Sequence, residues 1–217
     1  MVDQLVEEVR KGESVIGIDA SGSAIRVVSV AKPICLDRHR ELMLVELFQV
    51  SDRGHVSVRC KCIAEKFNPD RETVQVACSR AFREEIGLDE IDENMFSKKS
   101  VMRREVMESL KYLGLNCEYH LHYCIVSNVD YLKDSIPSSV LFPFHEQDGP
   151  NPKTIFWCWI KIDNPARMTD VVIALIEERL KIGKLPKNIL SYFLSSNTPG
   201  IKLHEEFQVA LQVVSEL

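Results

Sequence analysis

No apolar run in these 217 residues approaches the length of a membrane span; the longest, Val171 to Ile176, is far too short. No pair among the seven cysteines has CxxC spacing, and the number is odd, so neither a zinc ribbon nor a disulfide framework is indicated. Cys35, Cys60, Cys62, Cys78, Cys117, Cys124 and Cys158 often fall in strand-like apolar stretches, which predicts reduced, mostly buried thiols. Met1 to Arg10 is polar and helical in pattern, unlike a secretory signal. An intracellular protein is expected, cytoplasmic first, with nucleus and mitochondrion open. The net charge of -5 gives no global basic footprint for nucleic acid. A local group, Lys98, Lys99, Arg103 and Arg104, could meet phosphates or simply be a solvated helix face. There is no internal repeat, no low-complexity tract and no Gly-rich phosphate loop at Gly17 and Gly22. No Ser-His-Asp or Cys-His constellation stands out by spacing.

What is present reads as an ordinary globular chain, with 45% hydrophobic and 27% charged residues. A short helix is predicted from Val2 to Lys11, stopped by Gly12. Ser14 to Ile18 and Ala24 to Val30 read as a hairpin around Ala20-Ser21-Gly22-Ser23, and Leu42 to Val50 with His55 to Ile63 as a second one. After the turn Asn68-Pro69-Asp70, a helix is expected from Thr73 to Ile86. Asp89 to Ser97 reads as loop, Ser100 to Leu113 as a second helix stopped by Gly114, and Cys117 to Val126 and Ile155 to Ile162 as strands. Between those strands, Ser135 to Lys153 carries Pro137, Pro143, Pro150 and Pro152 and reads as a long turn-rich connection. Three helical segments follow: Met168 to Ile182, Pro186 to Ser195 and Leu203 to Leu217. In the last, Leu203, Phe207, Ala210, Leu211, Val214 and Leu217 make one stripe, suited first to covering the protein's own core, or else to a partner helix or a homodimer.

The richest stretch is Arg80-Ala81-Phe82-Arg83-Glu84-Glu85-Ile86-Gly87-Leu88, with Glu72 eight residues before Arg80. Adjacent Glu84 and Glu85 can offer hard oxygen ligands to Mg²⁺, which binds through a few carboxylates and shares substrate phosphates. Arg80 lies one helical turn before Glu84 and can orient it. Gly87 suits the left-handed turn that ends a helix. Val74, Cys78, Ala81 and Phe82 follow helical spacing and make an ordinary core stripe, so a packing helix explains part of the pattern.

These residues resemble the Nudix box. Glu72, Arg80, Phe82, Glu84, Glu85, Gly87 and Leu88 match it in type and spacing, over about a tenth of the chain. Two positions depart: the glycine is Lys66, in an opening pair Glu65-Lys66, and the glutamate after the arginine is Ala81. The resemblance implies an α/β fold, a Nudix-like α/β/α sandwich with a mixed sheet and an extended C-terminal helical segment. It divides the chain into a Nudix-like domain over 1–164 and C-terminal helices over 165–217 packed on it. It implies Mg²⁺ or Mn²⁺ held by Glu72, Glu84 and Glu85, with Arg80 and Glu85 catalytic and Glu105 or Glu146 replacing the missing carboxylate.

Three functions follow as expectations. The first is a Nudix-fold protein whose pyrophosphohydrolase activity is weak or lost, binding a nucleotide, an RNA end or a protein partner. The second is an active Mg²⁺- or Mn²⁺-dependent hydrolase of nucleotides or of capped or triphosphorylated RNA. The third is an unrelated α/β interaction domain. Arg104-Glu105-Val106-Met107-Glu108 is a weaker echo of the box, equally explained as a surface helix with charge pairs. His120 and His122 share a strand face without a third metal ligand in reach, Cys60 and Cys62 share one as core, and Trp157 and Trp159 suit core packing or stacking on a base.

Overall fold

The computed structural model describes residues 2–37, 39–109, 111–127, 129–136, 140–146, 152–183, 185–186, 188–195 and 199–217. The chain opens with α1 (Val2–Lys11), β1 (Val15–Ile18), β2 (Ala24–Ile34), β3 (Leu42–Ser51), β4 (Val56–Lys61) and β5 (Glu65–Phe67). Helix α2 (Val74–Ile86) follows, then β6 (Val101–Glu108), β7 (Asn116–Ile125), α3 (Val129–Ser135), β8 (Phe142–Glu146) and β9 (Lys153–Lys161). Helices α4 (Pro165–Lys181), α5 (Ile189–Ser195) and α6 (Pro199–Glu216) end it.

Two sheets form. One is mixed, in the order β1-β2-β7-β6, with β5 on the same edge of β2 as β1. Its centre is a parallel pairing of β2 with β7 from Ile25↔Asn116 to Ile34↔Ile125. The other is antiparallel, β4-β3-β9-β8. Alternation along β2 and β7 sends side chains to two separate cores. Val28, Val30, Leu121 and Tyr123 join the core under α4, α5 and α6, whereas Ala31, Cys35 and Cys124 join the core under α2 and α3. The architecture is therefore an α/β/α sandwich with a mixed sheet and an extended C-terminal helical segment. All seven cysteines are buried and free, and burial pushes the Cys60 and Cys158 thiols up to about 12. Among the described residues no helix is long and apolar enough to cross a membrane.

The C-terminal stripe covers the protein's own core. Leu203, Phe207 and Ala210 are buried against the sheets, with Leu211, Val214 and Leu217 packed at the margin. Helix α4 starts earlier than its apolar pattern, because Asn164 caps it and Pro165 suits its first turn. Helix α6 crosses it at Gly200, where any Cβ would collide with the Pro165 carbonyl. Lys32 of β2 fastens α6 through Glu206 at 3.1 Å.

One expected helix is a strand. Ser100 to Leu113 contains β6, paired antiparallel with β7 from Val101↔Tyr123 to Glu108↔Asn116. The i to i+4 charge pairs that suggest a helix are outweighed by a hairpin ladder that satisfies the backbone. Gly114, read as a helix stop, sits at φ 79° just before β7 instead. Strands β5 and β8 and helix α3 fall where loop was expected or nothing was assigned. Pro143 is accommodated because β8 is an edge strand. Pro137 and Pro150 lie outside the described residues, while Pro152 precedes β9.

Candidate functional site

Helix α2 carries most of the residues that resemble the box. The Thr73 hydroxyl accepts from the Val76 amide at 3.3 Å and caps its start. Gly87 ends it in the left-handed conformation, φ 79°, and a Cβ there would lie 2.7 Å from the Phe144 ring. Glycine is required on both counts. Ala77, Cys78, Ala81 and Phe82 form the buried face. Ala81, where the box pattern has glutamate, is wholly enclosed by that apolar core.

Arg80 organises the polar face. One terminal nitrogen donates to Glu65 at 2.6 Å; the other donates to Glu72 at 2.8 Å and to the Lys66 carbonyl at 2.9 Å. Glu84 lies 3.7 Å away, with its side chain 54% exposed. Burial works against the guanidinium's charge, yet Glu72 and Glu65 hold its pKa above the ordinary value. Burial raises Glu65 in turn, only partly offset by Arg80. Glu65 and Lys66, the pair that departs from the box, thus make the loop's contacts with Arg80.

Glu85 faces inward. Its Oε2 is shut away from solvent without a hydrogen-bond partner, while its backbone carbonyl accepts from the Trp157 indole at 3.0 Å. Burial is the main cause that pushes its carboxyl up to about 8, with Glu46 and Glu65 adding to the rise and Lys61 and Lys153 opposing it. Glu46, on β3, is completely buried and sits 3.5 Å from Arg59 and 3.3 Å from Lys61. Among the described residues neither of its oxygens has a hydrogen-bond partner. The backbone explains how it is aimed: the register of β3 shifts between Glu46 and Phe48 against both β4 and β9, and Cys60 opposite adopts φ 50°. A bulge re-aims side chains, and a non-glycine residue at positive φ is strain of the kind found at functional sites.

Glu65, Lys66, Glu72, Arg80 and Glu85 line one cleft of about 620 Å³. Lys11, Lys66 and Arg71 come from α1, β5 and the turn after it; Arg59, Lys61 and Lys153 come from the antiparallel sheet; Arg80 comes from α2. Seven cations thus line the cleft with four glutamates, Glu13, Glu65, Glu72 and Glu85, and several of the cations also have carboxylate partners at its margin: Arg59 and Lys61 at Glu46, Lys66 at Glu8, and Lys153 at Glu146. Gln49 and Asn68 add uncharged hydrogen-bonding groups.

The expected site residues divide. Arg80, Glu72 and Glu85 meet in this cleft, and Glu84 stands beside Arg80 on the exposed face. Glu105 does not join them. It lies exposed on β6, opposite Tyr119 in register and on the same strand face as Arg103, which bonds Glu216 of α6. The second box echo is on a strand, so it is no alternative catalytic helix. Glu146 pairs with Lys153 at 3.0 Å, at the cleft's margin. His120 bonds Glu118, and His122 packs on Phe67. Trp157 and Trp159 are core, their indole N–H groups held by the Glu85 and Ile136 carbonyls. Sequence reasoning missed Glu46, although a lone carboxylate inside Leu42-Met43-Leu44-Val45-Glu46-Leu47-Phe48 is a signal, since glutamate is almost never fully buried unless paired.

Among the described residues no group of three or more His, Cys, Asp or Glu side chains is placed to hold a metal ion. Glu72 is engaged by Arg80, Glu84 faces solvent beside it, and burial raises the Glu85 carboxyl. No protein-family model matches the chain, and no curated protein matches it.

Proposed function

We propose that this is a Nudix-like protein with weak or lost hydrolytic power, which binds the phosphates of a nucleotide or an RNA end in the cleft beside α2. The observation that carries the reading is the cation-rich cleft built around the box arginine, combined with Ala81 turned into the core. A metal-dependent hydrolase needs a cation to neutralise the diphosphate and activate water. Here protein cations supply the first role, and among the described residues no third carboxylate stands ready for the second. Arg59, Lys61, Lys66 and Lys153 would meet phosphate oxygens, and Arg80 would hold Glu65 and Glu72 in place below them. Seven buried free thiols suit a reducing, intracellular setting.

Thermal melting tests this, with and without Mn²⁺, against nucleotides and short triphosphorylated or capped RNAs. A ligand that binds only the folded state raises stability by mass action. The expected result is a shift with phosphate-bearing ligands that survives chelation of the metal and disappears in Lys61→Ala/Lys153→Ala. Robust turnover in Mn²⁺ that is lost in Glu85→Gln would favour the active hydrolase instead, a reading supported by the retained Glu84-Glu85 pair. No shift with any ligand would leave an α/β interaction domain.

A further inference from the structure

Strand β6 is the outer strand of the mixed sheet, bonded to β7 on one side. It carries Met102, Val106 and Met107 at 48%, 63% and 48% exposure. The outward N–H and C=O groups of such a strand are a template for another strand unless something covers them. We propose that β6 pairs antiparallel with β6 of a second copy of this chain, joining the two mixed sheets into one across a two-fold axis.

Symmetry restricts the register. A two-fold axis perpendicular to the sheet leaves every side chain on its own face, so facing residues must both be even or both be odd. Near the middle of the strand the axis can then pass through Arg103, Arg104 or Glu105. With Arg104 on the axis, Arg103 faces Glu105 of the second copy, and Glu105 faces Arg103. Met102 then faces Val106, and Val101 faces Met107. Opposite charges and apolar pairs both stabilise such contacts. The two Arg104 side chains meet on the axis, but each is already held by Glu118 of its own copy at 2.8 Å. The other registers conflict. An axis at Glu105 opposes two carboxylates and sets Arg103 against Met107. An axis at Arg103 sets Met102 against Arg104 and Val101 against Glu105. Of these three registers, the one at Arg104 alone pairs charge with opposite charge and apolar with apolar along the strand, and this self-complementarity favours a second copy over an unrelated strand.

Sedimentation velocity on the intact chain over a concentration series tests the dimer, and cysteine crosslinking tests the register. Glu105→Arg would oppose Arg103 of the second copy at two symmetric places, weakening the dimer about tenfold. Val106→Lys acts in the same direction, and because both side chains are exposed, an unchanged melting temperature is expected for each at concentrations where the chain is monomeric. Directly facing residues lie within disulfide reach, so Arg104→Cys would crosslink to itself under mild oxidation, whereas Met102→Cys would not. The native cysteines are all buried and should not compete. A monomer at every concentration overturns the proposal. So does a dimer indifferent to Glu105→Arg, or one lost instead on Ile16→Lys at the opposite edge.

Discussion

Replacing Glu85 by glutamine would stabilise the protein, and the gain would grow with pH. The unfolded carboxyl ionises near 4.5, whereas the folded one ionises near 8. Between those values the folded state holds a proton that the unfolded state has released, so raising the pH favours unfolding. The penalty is absent below about pH 4.5, grows through the window and is complete above pH 8. Each pH unit inside that window adds about 1.36 kcal/mol, so the penalty reaches roughly 3 kcal/mol at pH 7. An amide at position 85 carries no such penalty. Chemical denaturation of both proteins at pH 5, 6, 7 and 8 isolates the effect, because every other titrating group is common to the two. The expected difference widens steadily from pH 5 to pH 8. A constant difference across that range would refute the reasoning and mean that Glu85 reaches water or a cation in solution. Carrying so costly a group is the pattern of a residue kept for function at some expense in stability.

Ala81→Glu would not create a metal site. The position is wholly enclosed, so a larger, charged side chain there costs about 3 kcal/mol or more, and the melting temperature would fall without Mn²⁺-dependent turnover appearing. A well-folded, active variant would mean that residue 81 faces the cleft. Glu8→Ala would break the buried pair with Arg26, which is 2.5 Å long and enclosed on both sides, at a cost of about 3–5 kcal/mol in denaturation at pH 7. Burial pushes the Glu8 carboxyl up, but Lys111, Lys66 and Arg26 together hold it down to about 2. Its contribution is therefore present above about pH 4.5 and lost as the pH falls toward 2, and the variant would lack that acid-side slope.

The first half of the cleft was legible in the sequence because helix signals are local. The Asn68-Pro69-Asp70 turn, the spacing of Arg80 from Glu72 and Glu84, and the Gly87 stop all lie in one short segment. The other half was not legible. Arg59, Lys61 and Lys153 reach α2 only through the antiparallel sheet, and Glu46 is aimed by a bulge that no spacing announces.

Local pattern was enough for the hairpins, the box helix, the buried thiols and the apolar stripe of α6, because each depends on the periodicity or turn chemistry of a short segment. Cross-strand pairing was needed to make part of Ser100 to Leu113 an edge strand, since its charges pair equally well on a helix and β7 supplies the ladder. The same kind of pairing joined β2 to β7, residues some ninety positions apart, and so separated the two cores. Packing also gave different roles to Ala81 and Glu85, which lie four residues apart on one helix. Apolar contacts close over Ala81, while burial opposite Glu46 turns Glu85 into a carboxyl that keeps its proton at neutral pH.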